Sequence, residues 1–466
     1  MRGLSRNLIS QAGVVIAVVA LANTIFLIVV DATQKQSNPY MGILAWIVAP
    51  AILCAGLALY LLGIVVEQRR RRTAEASEYP VVDFNQRRTR TAVVASAVGM
   101  ILFVVASVIG TYHAYHYTEK DTFCGSVCHQ VMGPEFTAYQ RSPHARVGCV
   151  ECHVGSGAEW YVRSKITGTH QLYALVTNTY PRPIPTPVKG MRPARQTCEQ
   201  CHWPEKSFGT QLETFDHFAY DETNAPRPVQ MLIKTSAIHW HMNLANEVTY
   251  IAGDEHRQQI PWVRVKDRAG RVTEYVAEGS KLTAAQIAAS PRRQMDCIDC
   301  HSRPAHIFVS PDRAVDGALD AGSIDRTLPF VKQQAVTVLA KDYASTPAAL
   351  RAISTELPAY YRKTYPDVYA AKKPAIDRAV SATQQIFSTT RFPEMKVDWR
   401  THPDNAGHFS SLGCFRCHDD QHVSRDGKRL SKDCQLCHST ASFEHPVDLG
   451  DLRSVNCSDC HTGGGM

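Results

Sequence analysis

Residues 124–153, CGSVCHQVMGPEFTAYQRSPHARVGCVECH, contain two cysteine pairs, each followed directly by a histidine. The arrangement occurs seven times in the 466-residue chain and uses fourteen of its fifteen cysteines. The seven motifs are Cys124–Cys128–His129, Cys149–Cys152–His153, Cys198–Cys201–His202, Cys297–Cys300–His301, Cys414–Cys417–His418, Cys434–Cys437–His438 and Cys457–Cys460–His461. Only the first has three residues between its cysteines, and the fold of the chain must accommodate all seven.

C-x-x-C-H is the attachment motif of c-type haem, since two thiols at this spacing reach both vinyl groups while the adjacent imidazole meets the iron. Zinc ribbons and disulfides also use paired cysteines. Neither requires a histidine directly after every pair. The pattern therefore predicts seven covalent c-type haems, with each motif histidine on an iron.

The haems change what composition implies. Each porphyrin supplies apolar surface, so a conventional large core is not required. The formal net charge of +7 omits the haem propionates, and about fourteen of these would make the exported part acidic. Basic partners are therefore favoured, and nucleic acid is not expected.

Three apolar stretches precede the first motif, at about 8–30, 41–66 and 92–112. Each is long enough to cross a bilayer as a helix. Arg2 and Arg6 before the first stretch would also suit a cleaved signal peptide, but the apolar run exceeds the usual length of a signal core. A membrane anchor with three helices is favoured.

Arginines give the orientation of this anchor. Four stand together at 69–72 and three more at 87–90, whereas the connection at 31–40 has only Lys35. The positive-inside rule places the N-terminus and the arginine-rich loop in the cytoplasm, beside membrane lipid. Residues after Tyr112 then face the periplasm from the bacterial inner membrane, where c-type haems are attached.

The predicted fold class is a multihaem c-type cytochrome, mainly helical and irregular, with a small β-hairpin. Alternation predicts the hairpin at Trp262–Lys266 and Arg271–Val276. Helical spacing appears at 330–343, from Thr346, and at 376–387, and these helices are expected around the fourth haem. The predicted regions are the anchor 1–116, a three-haem region 117–202, a spacer 203–296, the fourth haem with a helical spacer 297–413, and a second three-haem region 414–466.

Sixth iron ligands come from outside the motifs, where thirteen of the twenty histidines lie. Some stand a few residues from a motif, and such short offsets suit donation to a neighbouring haem. These candidates are His144, His306, His408, His422 and His445.

Further candidates are less regular. His239 and His241 would share one face on a strand but lie roughly 200° apart on a helix, and at least one is expected to bind iron. His170 is another candidate. Met132 follows the first motif, and a thioether ligand would raise that haem's potential relative to two imidazoles. The alternative is a packing methionine.

The stretch 123–158 resembles the first two haem sites of the NapC/NirT family of membrane-anchored multihaem quinol dehydrogenases. Other segments are similar to the long heptahaem, ImcH-type members of that family. These segments are CEQCHWP (198–204), HWHMN (239–243), CIDCHSRPAHIF (297–308), HFSSLGCFRCHDDQH (408–422) and FEHPVDLGDL (443–452).

The resemblance implies oxidation of menaquinol near the first haem and transfer to periplasmic cytochromes or reductases. It also implies that Met132 binds iron and that a lysine and an acidic residue handle quinol, which map to Lys165 and Glu135. His113 and His116, at the outer end of the third apolar stretch, are alternates. Short family members have C-x-x-C-H-x-M and one membrane helix, whereas this chain has an extra residue in each interval and three apolar stretches.

Two other functions remain open. The chain could be an electron-wire subunit of a larger membrane complex, with quinol oxidised elsewhere. Candidate partners also include membrane-complex subunits or further copies of the chain in a homo-oligomer. It could also be a terminal reductase of nitrogen or sulfur oxyanions at a five-coordinate haem. The surplus of histidines and the absence of a C-x-x-C-K motif argue against the reductase.

Overall fold

A computed structural model describes residues 7–33, 48–73, 84–127, 129–155, 158–188, 190–203, 209–408 and 411–440. The chain forms two compact units. The first unit comprises 1–127 and 148–173, and the second comprises 128–147 and 174–466.

Three long helices dominate the first unit: α1 (Leu8–Thr33), α2 (Ala49–Thr73) and α3 (Arg87–Thr118). Each is long and apolar enough to cross a membrane, as predicted. Residues 41–47 of the second predicted span lie outside the described residues.

Small residues let α1 and α2 pack closely. A Cβ atom on Gly13 would collide with the backbone of Tyr60, and one on Gly56 would lie 2.7 Å from the backbone nitrogen of Ala17. Asn7 Nδ2 also donates to the carbonyl of Gly63 at 2.7 Å. Close backbone approach and hydrogen bonds are what hold helices together in lipid, where apolar burial gives no advantage.

Seven shorter helices follow in the described ranges, and four of them contain motif cysteines or histidines. They are α4 (His129–Tyr139), α5 (Cys149–His153), α6 (Ala158–Val176), α7 (Ala194–Cys198), α8 (Thr235–Ile238), α9 (Ala284–Ala289) and α10 (Cys297–Cys300). A 3-10 helix, His239–Met242, continues α8 directly.

Two antiparallel sheets lie in the second unit. Their strands are β1 (Gln211–Phe215), β2 (Val229–Ile233), β3 (Glu247–Ile251), β4 (Trp262–Lys266), β5 (Val272–Ala277), β6 (Arg293–Gln294), β7 (His422–Ser424) and β8 (His438–Thr440). The orders are β1-β2-β8 and β6-β3-β4-β5-β7. The predicted hairpin is present as β4–β5, with Trp262 opposite Val276, inside a larger sheet than the sequence indicated.

Five further helices form a helical module: α11 (Pro311–Asp320), α12 (Val331–Ala340), α13 (Thr346–Thr364), α14 (Pro366–Ala371) and α15 (Lys373–Thr390). Ser345 caps α13 by accepting from the backbone nitrogen of Ala348, as N-cap serines do. The core of the module includes the fully buried Val331, Ile353 and Phe387. No residue of the fourth motif belongs to this core. The helices therefore pack on one another, and their place around the fourth haem stays a prediction.

Candidate metal centres

The described motif cysteines are free thiols, so they form no disulfides in this part of the chain. Nor do the described residues contain any group of three or more His, Cys, Asp or Glu side chains that could hold a metal ion. A tetrahedral zinc site requires four converging donors. The motifs in the described ranges are not arranged as zinc ribbons.

Histidines instead come in facing pairs, each joining a motif histidine to one from elsewhere in the second unit. The ring centroids are 6.0 Å apart for His202 and His144, 6.4 Å for His301 and His239, 6.0 Å for His418 and His241, and 6.1 Å for His438 and His408. Metal–imidazole bonds of about 2 Å on each side, plus the depth of two rings, separate centroids by roughly 6 Å. The four pairs therefore have the separation that two axial ligands of one metal require.

Hydrogen bonds orient the rings in these pairs. Nδ1 lies within 2.8–3.1 Å of a backbone carbonyl oxygen in four of them: His144 with Pro304, His239 with Thr235, His241 with Ile238 and His418 with Ser431. Ligating histidines commonly donate their second ring nitrogen in this way, which fixes the tautomer and leaves Nε2 for the metal.

Burial favours the neutral imidazole that a metal needs. Removal from water lowers the pKa of His301, His408, His418 and His438. A protonated imidazole cannot donate to a metal. Pair spacing, ring orientation and protonation thus all fit a haem iron with two axial histidines.

Neighbouring motifs lie close together. The carboxylate of Asp296 accepts from the backbone nitrogen of Ala194, which joins the segments carrying the third and fourth motifs. Farther along, Arg416 of the fifth motif donates to the backbone carbonyl of Asp299 in the fourth, so these two motifs are also neighbours.

Among the other candidate ligands, His306 is held like the paired histidines, with Nδ1 3.0 Å from the carbonyl oxygen of Glu135. His422 differs, because its Nε2 lies 2.6 Å from the carbonyl oxygen of Ile260 and its Nδ1 lies 2.9 Å from the Asp419 carboxylate. Both ring nitrogens of His422 have protein partners, so this histidine is not proposed as an iron ligand. His170 is exposed on α6.

His445, Cys457, Cys460 and His461 lie outside the described residues, as does Cys128. The side chains of His129 and Lys165 also lie outside the description.

The segment after the first motif enters the interior of the second unit. Met132 packs against a cluster that includes Val131, Phe308 and Met395. Glu135 is buried 4.0 Å from Arg303. Burial raises the pKa of the Glu135 carboxyl, and the charge of Arg303 opposes that rise.

Sequence reasoning left His402 unassigned, yet the structure gives it features of a ligand. It is 4% exposed, its Nδ1 lies 3.0 Å from Thr186 Oγ1, and its Nε2 is buried without a hydrogen-bond partner. Burial lowers its pKa to about 4. No motif or short offset in the sequence marks this residue.

Comparison with known proteins gives one family match and two relatives. Residues 86–183 match the family model described as NapC/NirT cytochrome c family, N-terminal region. The chain is 43% identical over 482 residues to the cytochrome c-type protein ImcH of Geobacter sulfurreducens, covering 98% of this chain and 95% of that protein. It is 30% identical over 115 residues to the cytochrome c-type protein NrfH of Wolinella succinogenes, covering 24% of this chain and 63% of that one. No solved structure matches.

Proposed function

Because the chain belongs to the NapC/NirT family of c-type cytochromes, we propose that it oxidises menaquinol at the outer face of the inner membrane and passes the electrons to periplasmic carriers. The chain is a membrane-anchored multihaem cytochrome of electron transfer. The observation that carries the proposal is the set of four facing histidine pairs, 6.0–6.4 Å apart.

Seven c-type haems are proposed, each bound by the cysteines of one motif, with the motif histidine on the iron. When bound, haem supplies reversible one-electron chemistry. Axial partners proposed from the pairs are His144 for the third motif, His239 for the fourth, His241 for the fifth and His408 for the sixth. His306, Met132 and His445 are proposed for the three remaining motifs, without assignment of His306 and His445 to particular ones.

Electron entry is proposed near the first motif, since Cys124 follows the last residue of α3, Thr118, by only six residues. An apolar quinol can reach that level from the membrane. Its protons need acceptors, and Glu135 and Lys165 are proposed for that role, with His113 and His116 as alternates.

Paired axial histidines favour electron transfer over the reductase alternative. A reductase needs an iron with one open position, and the four pairs supply ligands to both sides of four sites. The electron-wire alternative differs only in where quinol is oxidised, so it is an outcome of the experiment below.

The function is tested by adding a menaquinol analogue to membranes that contain the protein. Haem absorbance should report reduction that a quinol-site inhibitor blocks, while dithionite reduces all haems in either case. Reduction by dithionite alone would leave the wire subunit as the better account. Denaturing mass measurement should give the polypeptide plus seven haems, and a mass with fewer than six would refute the count.

Orientation needs its own test. A reporter that works only in the cytoplasm should be active when fused after Arg72 and inactive when fused after Met466, since the arginines at 69–72 are proposed to face inward. The opposite pattern would overturn the periplasmic placement.

A further inference from the structure

Asp299 and Arg416 occupy the same position in consecutive motifs, directly before the second cysteine. They belong to Cys297-Ile298-Asp299-Cys300 and Cys414-Phe415-Arg416-Cys417. Haem attachment requires neither residue type there, and the motif starting at Cys434 has Leu436 in this place. The opposite charges of the two side chains therefore need another explanation.

Asp299 is 3% exposed and its carboxylate is fully engaged. Oδ1 accepts from Tyr250 OH at 2.8 Å, from Arg257 Nη1 at 3.0 Å and from Arg293 Nε at 2.9 Å. Oδ2 accepts from the backbone nitrogen of Asp296 at 2.8 Å. Since Tyr250 lies on β3 and Arg293 on β6, the carboxylate fastens the fourth motif to the five-stranded sheet.

Arg416 connects the fifth motif to the same network. Its Nη2 donates to the backbone carbonyl of Asp299, and its Nη1 donates to the carbonyl of Arg257 at 2.9 Å. Its Nε donates to the carbonyl of Gly413 at 2.8 Å, next to Cys414. One planar guanidinium thus holds three carbonyl groups, a geometry that the single amine of lysine cannot reproduce.

A second connection joins the same two motifs. His239 and His241 lie on one short 3-10 helix and face His301 and His418, respectively. Any shift of the fifth motif relative to the fourth would change the spacing of at least one of these pairs.

We infer that the fourth and fifth motifs form a clamped pair, in which Asp299 and Arg416 are positioning residues that fix the separation of two haems. The inference rests on the proposed electron-transfer function. It identifies the two haem sites whose separation the protein fixes through side-chain hydrogen bonds. One electron is exchanged between the two sites, one being oxidised as the other is reduced, with no bond broken and no proton moved. The clamp sets the separation for that exchange.

Three variants of the full-length protein separate charge from geometry. Arg416→Lys keeps the positive charge but cannot donate to all three carbonyl groups. Arg416→Gln loses both the charge and these hydrogen bonds. Asp299→Asn removes the buried carboxylate. Glu151→Gln is the matched control, because Glu151 occupies the same position in Cys149-Val150-Glu151-Cys152 and is exposed. Haem content by mass should remain that of the wild type before other readouts are compared.

Two readouts follow from the inference. Nearby charge tunes haem potential, so Arg416→Gln should lower one haem's potential, and Asp299→Asn should raise one because Arg257 and Arg293 lose their counter-charge. Arg416→Lys should leave the potentials in place but alter the magnetic interaction between two ferric haems in electron paramagnetic resonance. His239→Met and His241→Met identify which haem belongs to which motif. Each substitution should raise the potential of one haem, because a thioether replaces an imidazole.

The inference is overturned if Arg416→Lys gives the spectrum of the wild type, or if Glu151→Gln produces changes of equal size. It is equally overturned if the variants shift all haems together. Dithionite serves as reductant throughout, so these outcomes do not depend on menaquinol. Failure of quinol-driven reduction in the wild-type protein would instead count against the proposed function.

Discussion

The helical module and the motif-bearing part of the second unit are built in different ways. In the module, Leu328, Val331 and Ile376 are fully buried against one another. Around the fourth to sixth motifs, described histidine rings face each other with centroids 6.0–6.4 Å apart, the separation that two imidazoles on one metal would have. Side chains complete the first core, whereas the facing rings near the motifs would hold a haem iron between them under the proposed function.

The difference explains how a chain with seven cofactor motifs can remain ordered. Where the motifs leave few apolar side chains for a core, the porphyrin of a bound haem would supply apolar surface instead. The module, from 311 to 390, has no motif and keeps a conventional core. Stability of the two parts should therefore depend on different things.

Loss of haem attachment should separate the two parts most clearly. Replacing Cys297, Cys300, Cys414 and Cys417 by Ala should abolish hydrogen-exchange protection across β3–β5 and the motifs, while α12, α13 and α15 stay protected. The reason is that the module's core contains no motif residue, whereas Val248, Tyr250 and Val263 of the sheet form a cluster that packs against Cys417 of the fifth motif. Equal loss of protection in both parts, measured by mass spectrometry, would show that the module depends on haem as well.

Removal of one axial histidine should affect one site. His239→Ala and His241→Ala should each convert a single haem to high spin, because each removes one ligand from a different pair. His422→Ala is the matched control, since both nitrogens of His422 already have protein partners. Electron paramagnetic resonance measures the outcome. A high-spin signal in His422→Ala, or none in the other two variants, would require a different ligand set.

A buried ion pair tests the module alone. Lys332 is 2% exposed and its Nζ lies 2.6 Å from Asp316 Oδ1. Lys332→Met removes the buried cation and, among the described residues, leaves Asp316 with only His217 Nδ1, at 3.3 Å, and the backbone nitrogen of Phe218 as partners. The substitution should lower the free energy of unfolding by about 3–5 kcal/mol. Urea unfolding followed by helical circular dichroism gives this value.

The control for that variant is Lys341→Met. Lys341 pairs with Glu356 at the same 2.6 Å distance, but both side chains are nearly half exposed. Solvent screening limits such a pair to about 1 kcal/mol or less. Haem spectra should be unchanged in both variants. Equal destabilisation by the two substitutions would mean that burial does not determine how much stability is lost when an ion pair is broken.

Sequence patterns predicted the parts of the fold that are local. The alternation at 262–276 gave the hairpin, and Thr346-Pro347 gave the start of α13. Strands β6 and β7 were missed because they have only two and three residues and form by pairing with distant segments. No periodicity can develop over so short a length.

For the candidate site, the sequence predicted which residues are candidate ligands. It predicted the orientation of their side chains less well. His239 and His241 were expected to supply at least one ligand. On a 3-10 helix residues two apart are separated by about 240°, which is why the two rings can face different motifs. The short offset of His422 resembled that of a ligand, yet its ring is engaged by Asp419 and Ile260. Offsets along the chain do not determine such contacts.

Substitution of Met132 should have the smallest effect on potential and stability. It also tests the comparison between side-chain packing and haem binding directly, because Met132 packs in an apolar cluster with Val131 and Phe308 and is proposed as an iron ligand. Met132→Leu preserves volume, so a purely packing role predicts an unchanged potential and a stability loss below about 1.5 kcal/mol. A ligand role predicts a changed spectrum of one haem. Met132→His should then lower that haem's potential, since imidazole replaces thioether. Redox titration of the three proteins decides between the roles: if neither substitution moves any potential, Met132 belongs with the side-chain core, and electron entry through the first motif loses its proposed ligand.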